Sequence, residues 1–129
     1  MGKKILVVDD DDSVRKSITG ALKLKGGFDI LEAEDGLSGL EMAKQHKPDL
    51  IISDVVMSNL NGFLMLETLK EYPETADIPV IMMTSRAQKA REWKTGAAVE
   101  YPEKGYSLTQ LFDTIYSILK ITPQSETNP

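Results

Sequence analysis

Leu50, Ile51, Ile52 and Ser53 are apolar or small, and Asp54 follows at once. An uninterrupted run this short reads as a strand buried on both faces, which requires a parallel sheet covered by helices. The form recurs along the chain. ILVV at residues 5–8 stops at Asp9, and VIMM at residues 80–83 stops at Thr84. Helical patterns lie between the runs. Val14, Ile18, Ala21 and Leu22 fall on one face of a helix that Asp12 or Ser13 can cap and that Gly26 and Gly27 end. Residues 28–33 read as a second, mixed strand. Asp35 and Gly36 then open a helix with Leu37, Leu40 and Ala43 inward, finished by Pro48. Asn61 and Gly62 lead into a third helix carrying Phe63, Leu66 and Leu69, stopped by Pro73.

The second half continues the alternation. A fourth helical segment, roughly residues 86–95, has the weakest pattern, with only Ala87, Ala90 and Trp93 apolar. Residues 97–101 form a short fifth strand. Ser107 can cap the last helix, whose stripe is Leu108, Leu111, Phe112, Ile115 and Leu119. Five βα units predict an α/β fold, a parallel sheet with right-handed crossovers and helices on both faces. Residues 1–121 make one domain, and 122–129, polar with two prolines, read as a free tail or the start of a linker.

Composition narrows the function. The net charge of −5 argues against direct nucleic-acid binding, because phosphate backbones are held by Lys and Arg. With no cysteine, disulfides and thiolate metal sites are excluded. No apolar run approaches the length of a transmembrane helix, and the four apolar residues after Lys3 and Lys4 are too few for a signal peptide. A cytoplasmic protein with no membrane contact is the expectation.

The chemistry collects at strand ends. The first strand ends at Asp9 and Asp10, the third at Asp54, the fourth at Thr84, and Lys104 follows the fifth. In a parallel sheet these ends share one edge, where ligands of open α/β sheets bind. A lone Asp there commonly just opens a turn, and four consecutive acids, Asp9 to Asp12, commonly form a solvated loop. Asp9 and Asp10 abut the strand, however, and precede the expected cap. Three carboxylates converging at that edge repel one another, and a divalent cation resolves the conflict. Hard oxygen ligands with open water positions favour Mg²⁺. A metal beside one carboxylate stabilises charge on an incoming phosphoryl group, and aspartate is a known phosphoryl acceptor. The Thr84 hydroxyl and the Lys104 charge, each weak evidence alone, complete a phosphoryl-aspartate site.

ILVVDD (5–10), DLIISDVVMSNLNG (49–62), PVIMMTS (79–85) and GAAVEYPEKGY (96–106) together resemble the receiver domains of two-component response regulators, the CheY type. The resemblance implies a flavodoxin-like, doubly wound, five-stranded parallel sheet of order 2-1-3-4-5 with five helices. It implies Asp54 as phosphoacceptor, and Asp9, Asp10, Asp54 and the backbone carbonyl of Val56 as ligands to Mg²⁺. Thr84 is then the switch hydroxyl, Lys104 the phosphate-pairing lysine and Tyr101 the switch aromatic. A sensor histidine kinase or phosphotransfer protein would donate the phosphoryl group. A downstream protein would read the face formed by the expected fourth helix, fifth strand and fifth helix. The domain would be no enzyme on foreign substrates, but would assist its own phosphorylation and dephosphorylation. Departures lie around the output. Ser58 follows Met57 where the family has Pro, and Lys104 precedes Gly105 where the family has a Lys-Pro pair. The stretch from Thr84 to Gly96 is short by about one helical turn.

Other classes fit the residues less well. An aspartyl phosphatase wants a second acid two positions after its nucleophile, where Val56 stands. A flavodoxin-like FMN carrier needs a phosphate-cradling loop after the first strand, and the acids there would repel the phosphate. A receiver-like scaffold that is not phosphorylated remains an alternative. Without proline, the Lys104–Gly105 peptide is expected to be trans.

Overall fold

The computed structural model describes residues 3–54, 60, 62–83, 99–100 and 108–120. The elements run β1 (Lys4–Val8), α1 (Asp12–Gly26), β2 (Asp29–Ala33), α2 (Gly36–His46), β3 (Leu50–Asp54), α3 (Gly62–Lys70), β4 (Val80–Met83), β5 (Val99–Glu100) and α4 (Leu108–Leu119). The strands form one sheet in the order β2-β1-β3-β4-β5, and each neighbouring pair is parallel. Four helices lie among the described residues, and the expected helix over 86–95 falls outside them.

Strand alternation divides the core in two. Leu6, Val8, Ile51, Val80 and Met82 face one way and pack with Ala43 of α2 and Met65, Leu66 and Leu69 of α3. Ile5, Val7, Leu50, Ile52, Ile81 and Met83 face the other way and meet Ile18 and Leu22 of α1 and Leu111, Phe112 and Ile115 of α4. Every residue of β3 and β4 is buried because a helical layer covers each face. Edge strand β2 is less covered, which explains its mixed sequence. Tyr116 of α4 stacks on both Phe28 and Phe112, closing the second layer over the start of β2.

Helix α2 departs from the expected stripe. Leu37 is 55% exposed and Leu40 only half-buried, while Gly36, Gly39 and Ala43 form the buried face. The cause is close approach. A Cβ on Gly39 would come within 3.0 Å of Met65 Sδ and of Val8 Cγ2. There is no room for leucine on that face, so Leu37 turns outward. Asp35 caps this helix, accepting the Ser38 N–H at 2.8 Å. Lys47 ends it in the left-handed region at φ 47°, ahead of Pro48.

Denaturant unfolding should separate the real stripe from the expected one. Leu66→Ala or Ile52→Ala should cost about 2–5 kcal/mol. Leu37→Ala should stay within about 0.5 kcal/mol.

Candidate functional site

Sheet register builds the site. Val8 of β1 pairs with Ser53 of β3. The residues that follow them, Asp9 and Asp54, therefore leave neighbouring strands at the same level. Asp9, Asp10 and Asp54 each offer a carboxylate oxygen, and these atoms lie within 4.8 Å of one another. Asp9 is 2% and Asp54 8% exposed, while Asp10 is open to solvent. Two unit charges 4 Å apart oppose each other by about 4 kcal/mol at an effective dielectric near 20. An all-oxygen set of anionic donors, two of them buried, fits a hard dication such as Mg²⁺.

The turn that carries the acids is tied down by its own backbone. The Asp9 N–H donates to the Ala33 carbonyl at 3.1 Å, and the Asp9 carboxylate accepts the Asp11 N–H at 2.9 Å. Asp11 is the N-cap of α1, correcting the expectation of Asp12 or Ser13. Its extended backbone lets Oδ1 accept the N–H groups of Ser13 and Val14 at 3.0 and 3.2 Å. The cap thus falls one or two residues earlier than expected, yet Asp9 and Asp10 still precede it. At the far end Gly27, at φ 63°, closes α1.

Sequence reasoning missed Arg15. Its side chain lies on the buried stripe of α1 with Ile18, Thr19 and Leu22, and the residue is only 5% exposed. Nη1 donates to the Asp9 carbonyl at 2.7 Å and Nε to Glu32 Oε1 at 3.0 Å, while Nη2 pairs with the Asp12 carboxylate. Lys16 Nζ reaches the same Glu32 carboxylate at 3.0 Å. The available signal was positional: a cation three residues before Ile18 and seven before Leu22 occupies a core position. Burial opposes charge on the guanidinium, but Asp12 and Glu32 outweigh it and raise the Arg15 pKa. Burial likewise pushes the Glu32 carboxyl up, and hydrogen bonds from Lys16 and Arg15 outweigh that and hold it below its ordinary value.

Of the other expected site residues, Val56, Thr84, Tyr101 and Lys104 lie outside the described residues, as does the Lys104–Gly105 peptide. Asp54 pairs in register with Met83, the residue before Thr84. One further contact bears on the segment after Asp54. A Cβ on Gly36 would stand 1.9 Å from the Leu60 carbonyl oxygen, so only glycine lets α2 and that backbone approach.

Residues 5–116 match the response regulator receiver domain. The chain belongs to that family. It is 37% identical over 118 residues to the protein PilH of Pseudomonas aeruginosa, covering 90% of this chain and 97% of PilH. Some curated relatives are longer, and the chain spans 50% of one and 54% of another. Among solved structures it is similar to the chemotaxis response regulator CheY4 of Vibrio cholerae, at 26% identity and TM-score 0.79, covering 92% of this chain and 99% of that one. In fold it also matches the receiver domain of a sensor histidine kinase from Pseudomonas aeruginosa, at 22% identity and TM-score 0.86, covering 93% and 99% of the two chains. That protein has a magnesium ion coordinated in its active site cleft. A receiver domain is a signalling switch governed by phosphorylation, and this chain is one.

Three variants probe this framework. Gly36→Ala should lower stability by about 1–3 kcal/mol through overpacking against Leu60. Gly20→Ala, with nothing within 4 Å of the new Cβ, should raise it by about 0.5–1 kcal/mol. Because the Glu32 pKa is depressed on folding, its contribution is complete above the unfolded value of about 4.3 and is lost as pH falls toward the folded one. Glu32→Gln should therefore lower stability at neutral pH and flatten the acid limb of a stability–pH curve.

Proposed function

We propose that this receiver domain takes a phosphoryl group onto the Asp54 carboxylate from the phosphohistidine of a sensor histidine kinase or phosphotransfer protein. The observation that carries the reading is the gathering of the Asp9, Asp10 and Asp54 carboxylates at the C-terminal edge of a parallel sheet. Asp54 Oδ attacks phosphorus, the P–N bond breaks, and its electron pair returns to the imidazole of the donor. Asp9, Asp10, Asp54 and the main-chain carbonyl of Val56 would hold Mg²⁺. When bound, the ion supplies neutralising charge for the phosphoryl oxygens. The Thr84 hydroxyl donates to a phosphoryl oxygen, and the Lys104 ammonium pairs with the group.

The acyl phosphate favours the conformer in which Thr84 and Lys104 engage it, with Tyr101 following, and so biases a two-state equilibrium. A downstream protein reads the change on the face made by a fourth helix over 86–95, β5 and the last helix. The receiver domain spans residues 1–121. It acts as a regulatory phosphoacceptor, assisting its own phosphorylation and hydrolysis rather than turning over foreign substrates. The cytoplasm is its place of action. No helix among the described residues is long and apolar enough to cross a membrane.

Incubation with radiolabelled acetyl phosphate and Mg²⁺ tests the assignment. The wild-type chain should be labelled, Asp54→Asn should not, and Asp10→Asn should need more Mg²⁺ for the same labelling. Label persisting on Asp54→Asn would move the acceptor elsewhere. A wild-type chain that never labels would leave an unphosphorylated scaffold.

A further inference from the structure

We propose that Arg15 is a positioning residue for the cation site, its buried guanidinium holding the Asp9 main chain, the Asp12 carboxylate and Glu32 of β2 in one fork. The proposal rests on the reading of Asp9, Asp10 and Asp54 as that site. A three-acid site keeps its ligand geometry only while the turn that carries two of the acids stays in place. Asp54 is fixed by β3, which is buried along its whole length. The acid turn after β1 is tied to the sheet by the Asp9 N–H bond to Ala33, and Arg15 braces it from the helix side. The 2.7 Å bond from Nη1 to the Asp9 carbonyl fixes the peptide that joins Asp9 to Asp10. The 3.0 Å bond from Nε to Glu32 anchors the same rigid plane on β2, and Lys16 holds Glu32 in turn. Nη2 adds Asp12, one residue beyond the cap.

A planar guanidinium with donors in fixed directions sets three acceptors relative to each other; a lysine ammonium does not. Burying a cation is costly, and an apolar residue would continue the stripe of Ile18 and Leu22 at less cost. The cation is better explained by the turn than by the core.

The proposal fixes the sign of an effect that electrostatics alone would reverse. Removing a positive charge beside an acidic site favours a cation. Loss of positioning weakens it. Isothermal titration with MgCl₂ on the intact chain should therefore show Arg15→Met binding at least about tenfold more weakly than wild type, the scale seen when residues supporting metal ligands are lost. Arg15→Lys, which keeps the charge and loses the fork, should also weaken binding and serves if Arg15→Met does not fold. Ile18→Val, one turn further along the same helix and without a bond to the acid turn, should bind as wild type. Circular dichroism establishes that each variant is folded at the titration temperature.

Unchanged or tighter Mg²⁺ binding by a folded Arg15→Met would overturn the proposal, as would wild-type affinity in Arg15→Lys. Equal weakening in Ile18→Val would also overturn it, showing general loosening of α1. If the wild-type chain binds no Mg²⁺ at all, the cation site itself fails and takes this proposal with it. Wild-type binding that Asp10→Asn weakens and Arg15 variants do not would sink the positioning role alone.

Discussion

Two acids emerge from neighbouring parallel strands at the same level and repel each other. The pairing of Val8 with Ser53 leaves no freedom here: Asp9 and Asp54 must follow, and Asp10 joins them within 4.8 Å. Two bare unit charges 4 Å apart would oppose each other by about 4 kcal/mol at an effective dielectric near 20, before any neighbouring group is counted. A sheet buried on both faces can carry that cost. Its two core layers, one under α2 and α3 and the other under α1 and α4, are filled by strand residues that alternate without a gap. The stable body therefore holds a crowded acidic edge, and function follows from how a cation and a phosphoryl group meet it.

The parts around the acids limit relaxation. Asp11 satisfies the first amides of α1 and starts the helix directly after the acid turn. Arg15 reaches from that helix to the Asp9 carbonyl and to Glu32 on β2. Gly36 lets the start of α2 meet the backbone at Leu60, just before α3. None of these groups is a carboxylate of the cluster. Asp11 and Arg15 restrict the turn that carries two of the charges, which is what preorganisation requires of a site that binds charge.

Much of this was legible in the residues, for identifiable reasons. Runs such as LIIS and VIMM with no polar interruption fit only strands covered on both faces. Once the strands are parallel, the acids at their ends must share an edge. The strand order came from the resemblance to receiver domains rather than from any pattern in the chain. The N-cap was misplaced by one or two residues because Asp11, Asp12 and Ser13 are all good capping residues, and only backbone geometry distinguishes them. Leu37 was expected inward because a helical stripe assumes ordinary spacing between helix and sheet. Gly36 and Gly39 shorten that spacing and exclude large side chains. Arg15 was missed because a charged residue in a helix is normally solvated, and its burial depends on acceptors that the sequence does not place together.

The most direct test of the central claim is thermal unfolding of the wild-type chain and Asp54→Asn, each in chelator and in excess Mg²⁺. If repulsion among Asp9, Asp10 and Asp54 strains the edge and a cation relieves it, Asp54→Asn melts a few degrees above wild type in chelator. Mg²⁺ then raises the wild-type Tm more than that of the variant. Asp54→Asn melting below wild type in chelator, with the same Mg²⁺ shift in both proteins, would contradict the account.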